Sequence, residues 1–181
     1  MTRKAWLAAL LVISYQIVSA QTASAPQPPM PQPPAPEAPF KKSPIVPEFH
    51  LLRPDSSTYI SKEDIKKHRT VLIMYFSPEC DHCKHQTEFI LANYEKFKNI
   101  EIVMATYKPF SEMKDFVTRY KLADYANFKV GRDEKFFFVP FYKISSLPFL
   151  ALYDKEGNLI TSFEGTHPAE TILKAFDGKK G

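Results

Sequence analysis

The chain has 181 residues, of which 44% are hydrophobic, enough for a single domain with a sizeable core. Its formal net charge is +4, and without residues 1–20, which hold two of the 24 basic residues and no acidic one, 22 basic residues face 20 acidic ones. So small an excess gives no electrostatic basis for binding nucleic acid, and that class of partner is excluded.

Residues 1–20 have the pattern of a secretory signal. Two basic residues open the segment, and nine consecutive apolar residues follow at 5–13. Small residues precede position 21, so we expect cleavage after Ala20, secretion across the inner membrane and a periplasmic location. The apolar run is shorter than the ~20 residues that span a bilayer, so an uncleaved N-terminal membrane anchor is the less favoured alternative.

Residues 21–48 are predicted to be a proline-rich linker. Ten of the sixteen prolines lie between positions 26 and 47, and each proline removes a backbone donor and fixes φ. We therefore expect extended polyproline II structure rather than a helix or a strand. Because such compositions usually serve as spacers, a tether is favoured over a PxxP ligand for a partner protein.

The folded domain is predicted to span residues 49–176, with a tail at 177–181. Six consecutive apolar residues at 71–76 indicate a central strand that is covered on both faces. Serines are placed to cap two of the helices. The expected elements of the first half are a strand at 49–52, a helix at 61–67 capped by Ser61, the strand at 71–76, a helix from Cys80 or Asp81 to 97, a strand at 100–104 and a helix capped by Ser111.

The second half is predicted to end in a hairpin and a helix. Strands at 149–153 and 159–163 are joined by an Asp-Lys-Glu-Gly-Asn turn, which is typical of a hairpin. Alternating strands and helices in the first half require a parallel sheet, and the hairpin adds antiparallel strands. The prediction is an α/β domain with a central mixed β-sheet and helices on both faces. Its remaining elements are a short strand at 128–130, a helical turn at 133–141 and a helix from Pro168 to Phe176.

The only two cysteines, Cys80 and Cys83, lie three residues apart at the predicted start of a helix. Residues at i and i+3 in a first helical turn are close enough to form a disulfide. The first sulfur lies where backbone N–H groups and the helix dipole favour the thiolate, and the second lies one turn inward. We therefore expect Cys80 to be the exposed attacking thiol and Cys83 the buried resolving thiol of a redox pair.

Two other uses of the cysteines are weighed against redox chemistry. A purely structural disulfide is disfavoured, because closing so short a loop removes little unfolded-chain entropy. Copper or zinc delivery through the two thiols with His82 and His85 is a second hypothesis, although the spacing does not aim all four ligands at one ion. We expect no metal and no cofactor other than the redox-active disulfide. Asp81 and His82, which lie between the cysteines, are expected to tune the thiolate in opposite directions.

The chain resembles the thioredoxin superfamily, and in particular the secreted thioredoxin-like proteins of the TlpA/ResA type. The resemblance covers residues 49–176 and rests on the apolar strand at 71–76, Cys80-Asp81-His82-Cys83-Lys84 and Ser146-Leu147-Pro148-Phe149. It implies a thioredoxin fold with the CxxC pair at a helix N-terminus and Pro148 as a cis-proline opposite it. It also implies that Leu147 offers backbone groups to a substrate.

The sequence departs from thioredoxin next to the cysteines. Thioredoxin carries a buried aspartate six residues before its first cysteine, and Met74 occupies that position here. Glu79 and Asp81 are the remaining candidates for a proton acceptor. Glu79 also stands where thioredoxin has an aromatic residue, so the substrate surface is expected to differ from that of thioredoxin.

The resemblance implies an extracytoplasmic thiol–disulfide oxidoreductase that acts on protein thiols and disulfides. It favours a reductant, supplied by a membrane-bound redox donor, over an oxidant, and a monomer is expected. A non-catalytic binding module is a further alternative, with the aromatic segment 136–141 as its partner surface. Core packing is favoured for that segment, because buried aromatic rings contribute strongly to stability.

Overall fold

Residues 37–178 are described by a computed structural model of the chain. The predicted signal at 1–20, the proline-rich residues up to 36 and the last three residues of the predicted tail lie outside the described residues. Seven strands lie within them: β1 (His50–Leu52), β2 (Tyr59–Ser61), β3 (Val71–Tyr75), β4 (Glu101–Thr106), β5 (Phe128–Arg132), β6 (Phe149–Tyr153) and β7 (Leu159–Glu164).

The strands form one mixed sheet in the order β2-β1-β5-β4-β3-β6-β7. β3 pairs in parallel with β4, and β4 pairs in parallel with β5. β6 pairs antiparallel with β3 and with β7. β6 and β7 form the predicted hairpin, and β7 is one edge of the sheet. At the other edge β1 is antiparallel to both β5 and β2. The predicted mixed sheet is confirmed.

Helices cover both faces of this sheet. None of them within residues 37–178 is long and apolar enough to cross a membrane. Single 3₁₀ turns at Lys62–Asp64 and Leu122–Asp124 complete the regular structure. The α-helices are α1 (Pro39–Lys42), α2 (Asp81–Ala92), α3 (Tyr94–Phe97), α4 (Phe110–Arg119), α5 (Phe138–Tyr142) and α6 (Ala169–Asp177).

Strand β3 is buried on both faces, which confirms the prediction from its apolar run. Side chains of successive strand residues point to opposite faces. Leu72 and Met74 join a cluster that includes buried residues of α2, α4 and α6. Ile73 and Tyr75 join a second cluster with residues of α1 and α5. β3 is therefore fixed between these two core clusters, and so is the start of the loop that follows it.

The packed domain begins before residue 49, the boundary that composition predicted. Phe40 and Val46 are only 6% and 4% exposed, and the Phe40 ring lies 5.3 Å from the Tyr142 ring. Pro39 occupies the start of α1, where a missing N–H leaves no bond unmade. Residues 38–48 thus belong to the domain rather than to the linker, because burial of these apolar side chains outweighs the proline-rich composition.

Local caps end several helices sooner than periodicity predicted. The helix expected at 61–67 is only the 3₁₀ turn, in which Asp64 accepts a 2.8 Å hydrogen bond from the Ser61 N–H. The helix expected to reach residue 97 is broken at Asn93, whose side chain donates to the Phe89 carbonyl. Pro109, not Ser111, stands at the cap of α4. The helical turn expected at 133–141 forms later, as α5, and α6 extends one residue beyond Phe176.

Candidate functional site

Cys80 lies at the N-terminus of α2, five residues after the end of β3. Its backbone is extended, with φ −73° and ψ 119°, and it forms the cap of the helix. Its N–H donates to the Ser77 carbonyl at 3.1 Å, and its own carbonyl accepts from Cys83 N and Lys84 N at 3.0 and 3.1 Å. The tight turn after a buried strand therefore places the CxxC pair at a helix N-terminus, as predicted.

The two thiols differ sharply in burial. Both are free, and Cys80 is partly exposed whereas Cys83 is fully buried. Burial raises the pKa of the Cys83 thiol far above its usual value, and a hydrogen bond from the Ser77 backbone N–H opposes that effect. Cys80 raises the pKa of Cys83 further, because the hydrogen bond between the two sulfurs favours the protonated Cys83 and negative charge on Cys80 repels a Cys83 thiolate. The Cys80 sulfur is thus accessible to a partner, whereas the Cys83 sulfur behind it is buried and protonated at neutral pH.

The loop before β6 faces the cysteines. The Leu147–Pro148 peptide bond is cis, which confirms that prediction. The Cys80 Sγ lies 3.9 Å from the Leu147 carbonyl oxygen, and the Pro148 carbonyl accepts from Gly165 N at 2.9 Å. Leu147 is partly buried and packs against both core clusters. Sequence positions almost 70 residues apart are therefore brought together around the outer sulfur.

Both carboxylates next to the cysteines are bound by lysines. Lys108 Nζ lies 2.6 Å from Glu79 Oε2, and Lys84 Nζ lies 2.8 Å from Asp81 Oδ1. Each lysine lowers the pKa of its partner carboxyl, first by the hydrogen bond and then by its charge. Neither carboxylate has a hydrogen bond to Cys83 within the described residues. The prediction that one of them takes the Cys83 proton gains no support from this geometry.

Met74 lies in the same core cluster as Cys83 and is fully buried. The site therefore holds an apolar side chain where thioredoxin has its carboxylate. Polar groups that sequence reasoning missed lie further along α2. Thr87 Oγ1 donates to the Cys83 carbonyl at 2.9 Å, and the Gln86 side-chain oxygen accepts from His167 N at 2.8 Å. The i+3 and i+4 spacing from Cys83 could have indicated Gln86 and Thr87, whereas nothing local points to His167.

The two histidines of the CxxC region are exposed. His82 and His85 lie on the outer side of α2 while Cys83 is buried beneath it. The His82 carbonyl accepts a 3.0 Å hydrogen bond from Thr166 Oγ1, which ties the helix start to the segment after β7. Within residues 37–178 no three His, Cys, Asp or Glu side chains are arranged to hold a metal ion.

A mixed sheet flanked by helices, a CxxC pair at a helix start and a cis-proline facing it together define a thioredoxin fold. The chain belongs to the thioredoxin-like domain family, whose sequence model matches residues 61–179. No curated protein matches the sequence.

Solved structures that resemble the chain share its fold at low sequence identity. One is a protein from Chlorobium tepidum assigned as the thiol:disulfide interchange protein DsbE, at 20% identity and TM-score 0.60, covering 73% of this chain and 95% of that one. A secreted disulfide oxidoreductase from Mycobacterium tuberculosis is 14% identical, with TM-score 0.59 and coverage of 72% and 95%. An exposed lipoprotein thioredoxin from Streptococcus pneumoniae is 21% identical, with TM-score 0.57 and coverage of 73% and 99%.

Proposed function

We propose that the protein is an extracytoplasmic thiol–disulfide oxidoreductase that exchanges disulfides with protein substrates through Cys80 and Cys83. The observation that carries the proposal is the burial difference between two sulfurs one helical turn apart. An exposed sulfur can meet a bulky protein partner, and a buried one can reach only its neighbour. Family membership supports the same activity.

The reaction proceeds in two displacements. The Cys80 thiolate attacks one sulfur of a substrate disulfide; that S–S bond breaks, a mixed disulfide forms at Cys80, and the departing substrate thiolate takes up a proton. Cys83 then loses its proton, its thiolate attacks the Cys80 sulfur, and the second substrate thiol leaves. Two electrons pass from the dithiol to the substrate, and the protein ends as the Cys80–Cys83 disulfide. The Leu147 carbonyl next to the Cys80 sulfur and the cis Leu147–Pro148 bond support a role for these two residues in holding the substrate.

We assign the protein the direction of a reductant. A membrane-bound dithiol donor then supplies two electrons to restore the cysteines after each cycle. Two of the structural neighbours, one a secreted oxidoreductase and one an exposed lipoprotein, support a location outside the cytoplasm. The signal-like pattern at residues 1–20 supports it as well.

Capture of substrates tests the activity. The full chain with Cys83→Ser cannot resolve its mixed disulfides, so we expect it to accumulate reducible, disulfide-linked adducts with cellular proteins. The matched control carries Cys80→Ser as well as Cys83→Ser and is expected to form none. A Cys83→Ser protein that captures no partner, although Cys80 still reacts with small thiol reagents, would contradict the proposal and favour a non-catalytic binding module.

Redox equilibration tests the direction. The full chain is equilibrated with defined ratios of reduced and oxidised glutathione, and its dithiol fraction is read by thiol alkylation. A reductant is expected to have a potential near or below about −270 mV, whereas a value near about −120 mV would make the protein an oxidant.

A further inference from the structure

Two exposed aromatic rings lie together at the end of the parallel strands that carries the cysteines. Tyr107 follows the end of β4 and is 40% exposed, and Phe136 in the loop after β5 is 46% exposed. Their centroids lie 5.5 Å apart with the rings at 87°, an edge-to-face pair. We call these two residues the aromatic patch. Contiguous exposed apolar groups of this kind mark interaction sites more often than scattered single ones.

The protein holds Phe136 outward against its backbone preference. Its φ is +53°, in the left-handed region that bulky residues rarely adopt. The buried Asp133 carboxylate accepts the Phe137 and Phe138 N–H groups at 2.9 and 3.0 Å. Phe138 is fully buried behind the loop. These anchors place the Phe138 ring inside and leave the Phe136 ring in solvent, a strained arrangement of the kind found at binding sites.

Tyr107 is also anchored from below. Its ring stacks on the buried Tyr75 ring, with centroids 6.3 Å apart and an interplanar angle of 16°. Tyr75 ends β3, the strand that leads to the cysteines. The patch is therefore rigidly joined to the strand that positions Cys80.

Lys108 connects the patch to the cysteine loop. Its Nζ lies 5.8 Å from the centre of the Tyr107 ring and 2.6 Å from the carboxylate of Glu79, the residue before Cys80. The Lys108 carbonyl accepts from Arg132 Nε at 3.0 Å. A substrate segment bound at Cys80 can thus run over the Lys108–Glu79 ion pair, whose charges offset each other, to the aromatic patch.

Beyond Phe136 the surface sinks into a mostly apolar groove. Its volume is about 470 Å³, and its apolar lining includes Phe49, Phe136, Phe137, Pro140 and Phe141. Its charged lining residues are Glu48, Lys135 and Asp133, and the Asp133 carboxylate is already bound by two backbone N–H groups. An apolar side chain fits this chemistry better than a charged one.

We propose that the aromatic patch and this groove select the substrate: a protein with an aromatic or large aliphatic side chain near its reacting cysteine. The inference rests on the proposed function, because it makes the patch a continuation of the Cys80 exchange site. An extended segment advances ~3.3 Å per residue, so side chains within a few residues of the cysteine are the candidates for this contact. The partner is thus a cysteine-containing extended segment, and the patch is a specificity-determining surface.

Exchange rates with matched peptides test the proposal. Each peptide carries one cysteine as its mixed disulfide with a coloured aromatic thiol, and the two peptides differ only in tryptophan or serine four residues on either side of it. We expect the full chain to react about tenfold faster with the tryptophan peptide, the effect of one favourable aromatic contact. Phe136→Asn is expected to remove most of this preference, measured for each variant relative to its own rate with the mixed disulfide of glutathione and the same coloured thiol.

Two further variants, Tyr107→Ser and Phe89→Ala, sharpen the test. Asn tolerates positive φ, so Phe136→Asn keeps the loop conformation, and Tyr107→Ser probes the same patch independently if that variant does not fold. Phe89→Ala removes a ring of similar exposure, 43%, from the outer face of α2 and is expected to keep the preference. Equal rates with both peptides, or a preference that survives both patch substitutions, would overturn the inference alone. Failure to react with any peptide or with the glutathione adduct would overturn the proposed function and the inference together.

Discussion

Release of a mixed disulfide from Cys80 is expected to accelerate about tenfold per pH unit between roughly pH 6 and 9, because only the Cys83 thiolate attacks. Burial is the largest cause of the raised pKa of Cys83, and it persists when Cys80 is bound to a substrate. Below that pKa the thiolate fraction grows tenfold with each unit of pH. The negative charge that Cys80 contributes disappears in the mixed disulfide, which moderates the shift without reversing it.

The measurement uses a preformed adduct. The full chain is linked at Cys80 to a small coloured thiol at low pH, and release is followed after rapid mixing into buffers of rising pH. The same adduct on Cys83→Ser reports hydrolysis and other background loss and is expected to stay intact. A release rate that does not change with pH would show that Cys83 is already ionised in the adduct, contrary to its apolar surroundings.

Lys129→Met is expected to lower the free energy of unfolding by about 3–5 kcal/mol, the usual cost of breaking a buried ion pair. Glu101, at the start of β4, is fully buried and forms an ion pair with Lys129 on β5. Its second oxygen has no hydrogen bond within the described residues, and Lys66 Nζ lies 4.0 Å away. Without Lys129 the buried carboxylate keeps only the more distant, half-exposed Lys66 ammonium to offset the loss of water.

Urea unfolding of the single and double variants separates the charge from the packing. Lys129→Met combined with Glu101→Gln removes both charges, so it is expected to recover most of the stability that the single substitution loses. Cys80 reactivity is the control, because the ion pair lies at the opposite end of the parallel strands from the cysteines. A single variant that loses less than about 1 kcal/mol would mean that the pair behaves as a solvated surface pair.

Elements with strong local signals were predicted well from the sequence. The apolar run at 71–76 contains β3, which is covered on both faces, and the Asp-Lys-Glu-Gly-Asn turn joins β6 to β7. A tight turn follows β3, and the helix starts directly after that turn, at the CxxC pair. In each case neighbouring residues carry the information, through burial on both faces or through turn geometry.

Element ends and the start of the domain were predicted less well. Composition assigned residues 38–48 to a linker, yet Phe40 and Val46 are buried against side chains from distant parts of the chain. Asn93 breaks a helix that periodicity extends through it. The aromatic segment 136–141 was expected in the core, and the structure divides it: Phe138 is buried and Phe136 is exposed. Such outcomes depend on which surfaces meet, which propensity alone does not determine.

The sequence by itself determined that two thiols, and no others, lie one helical turn apart after a buried strand, because strand burial and helix spacing are local properties. Only the tertiary structure decided what surrounds them. It placed the Leu147 carbonyl beside Cys80, joined Glu79 to Lys108 and brought Tyr107 against Phe136. These contacts join residues about 30 to 70 positions apart, and they exist only because the sheet order brings the ends of β3, β4, β5 and the start of β6 to one edge.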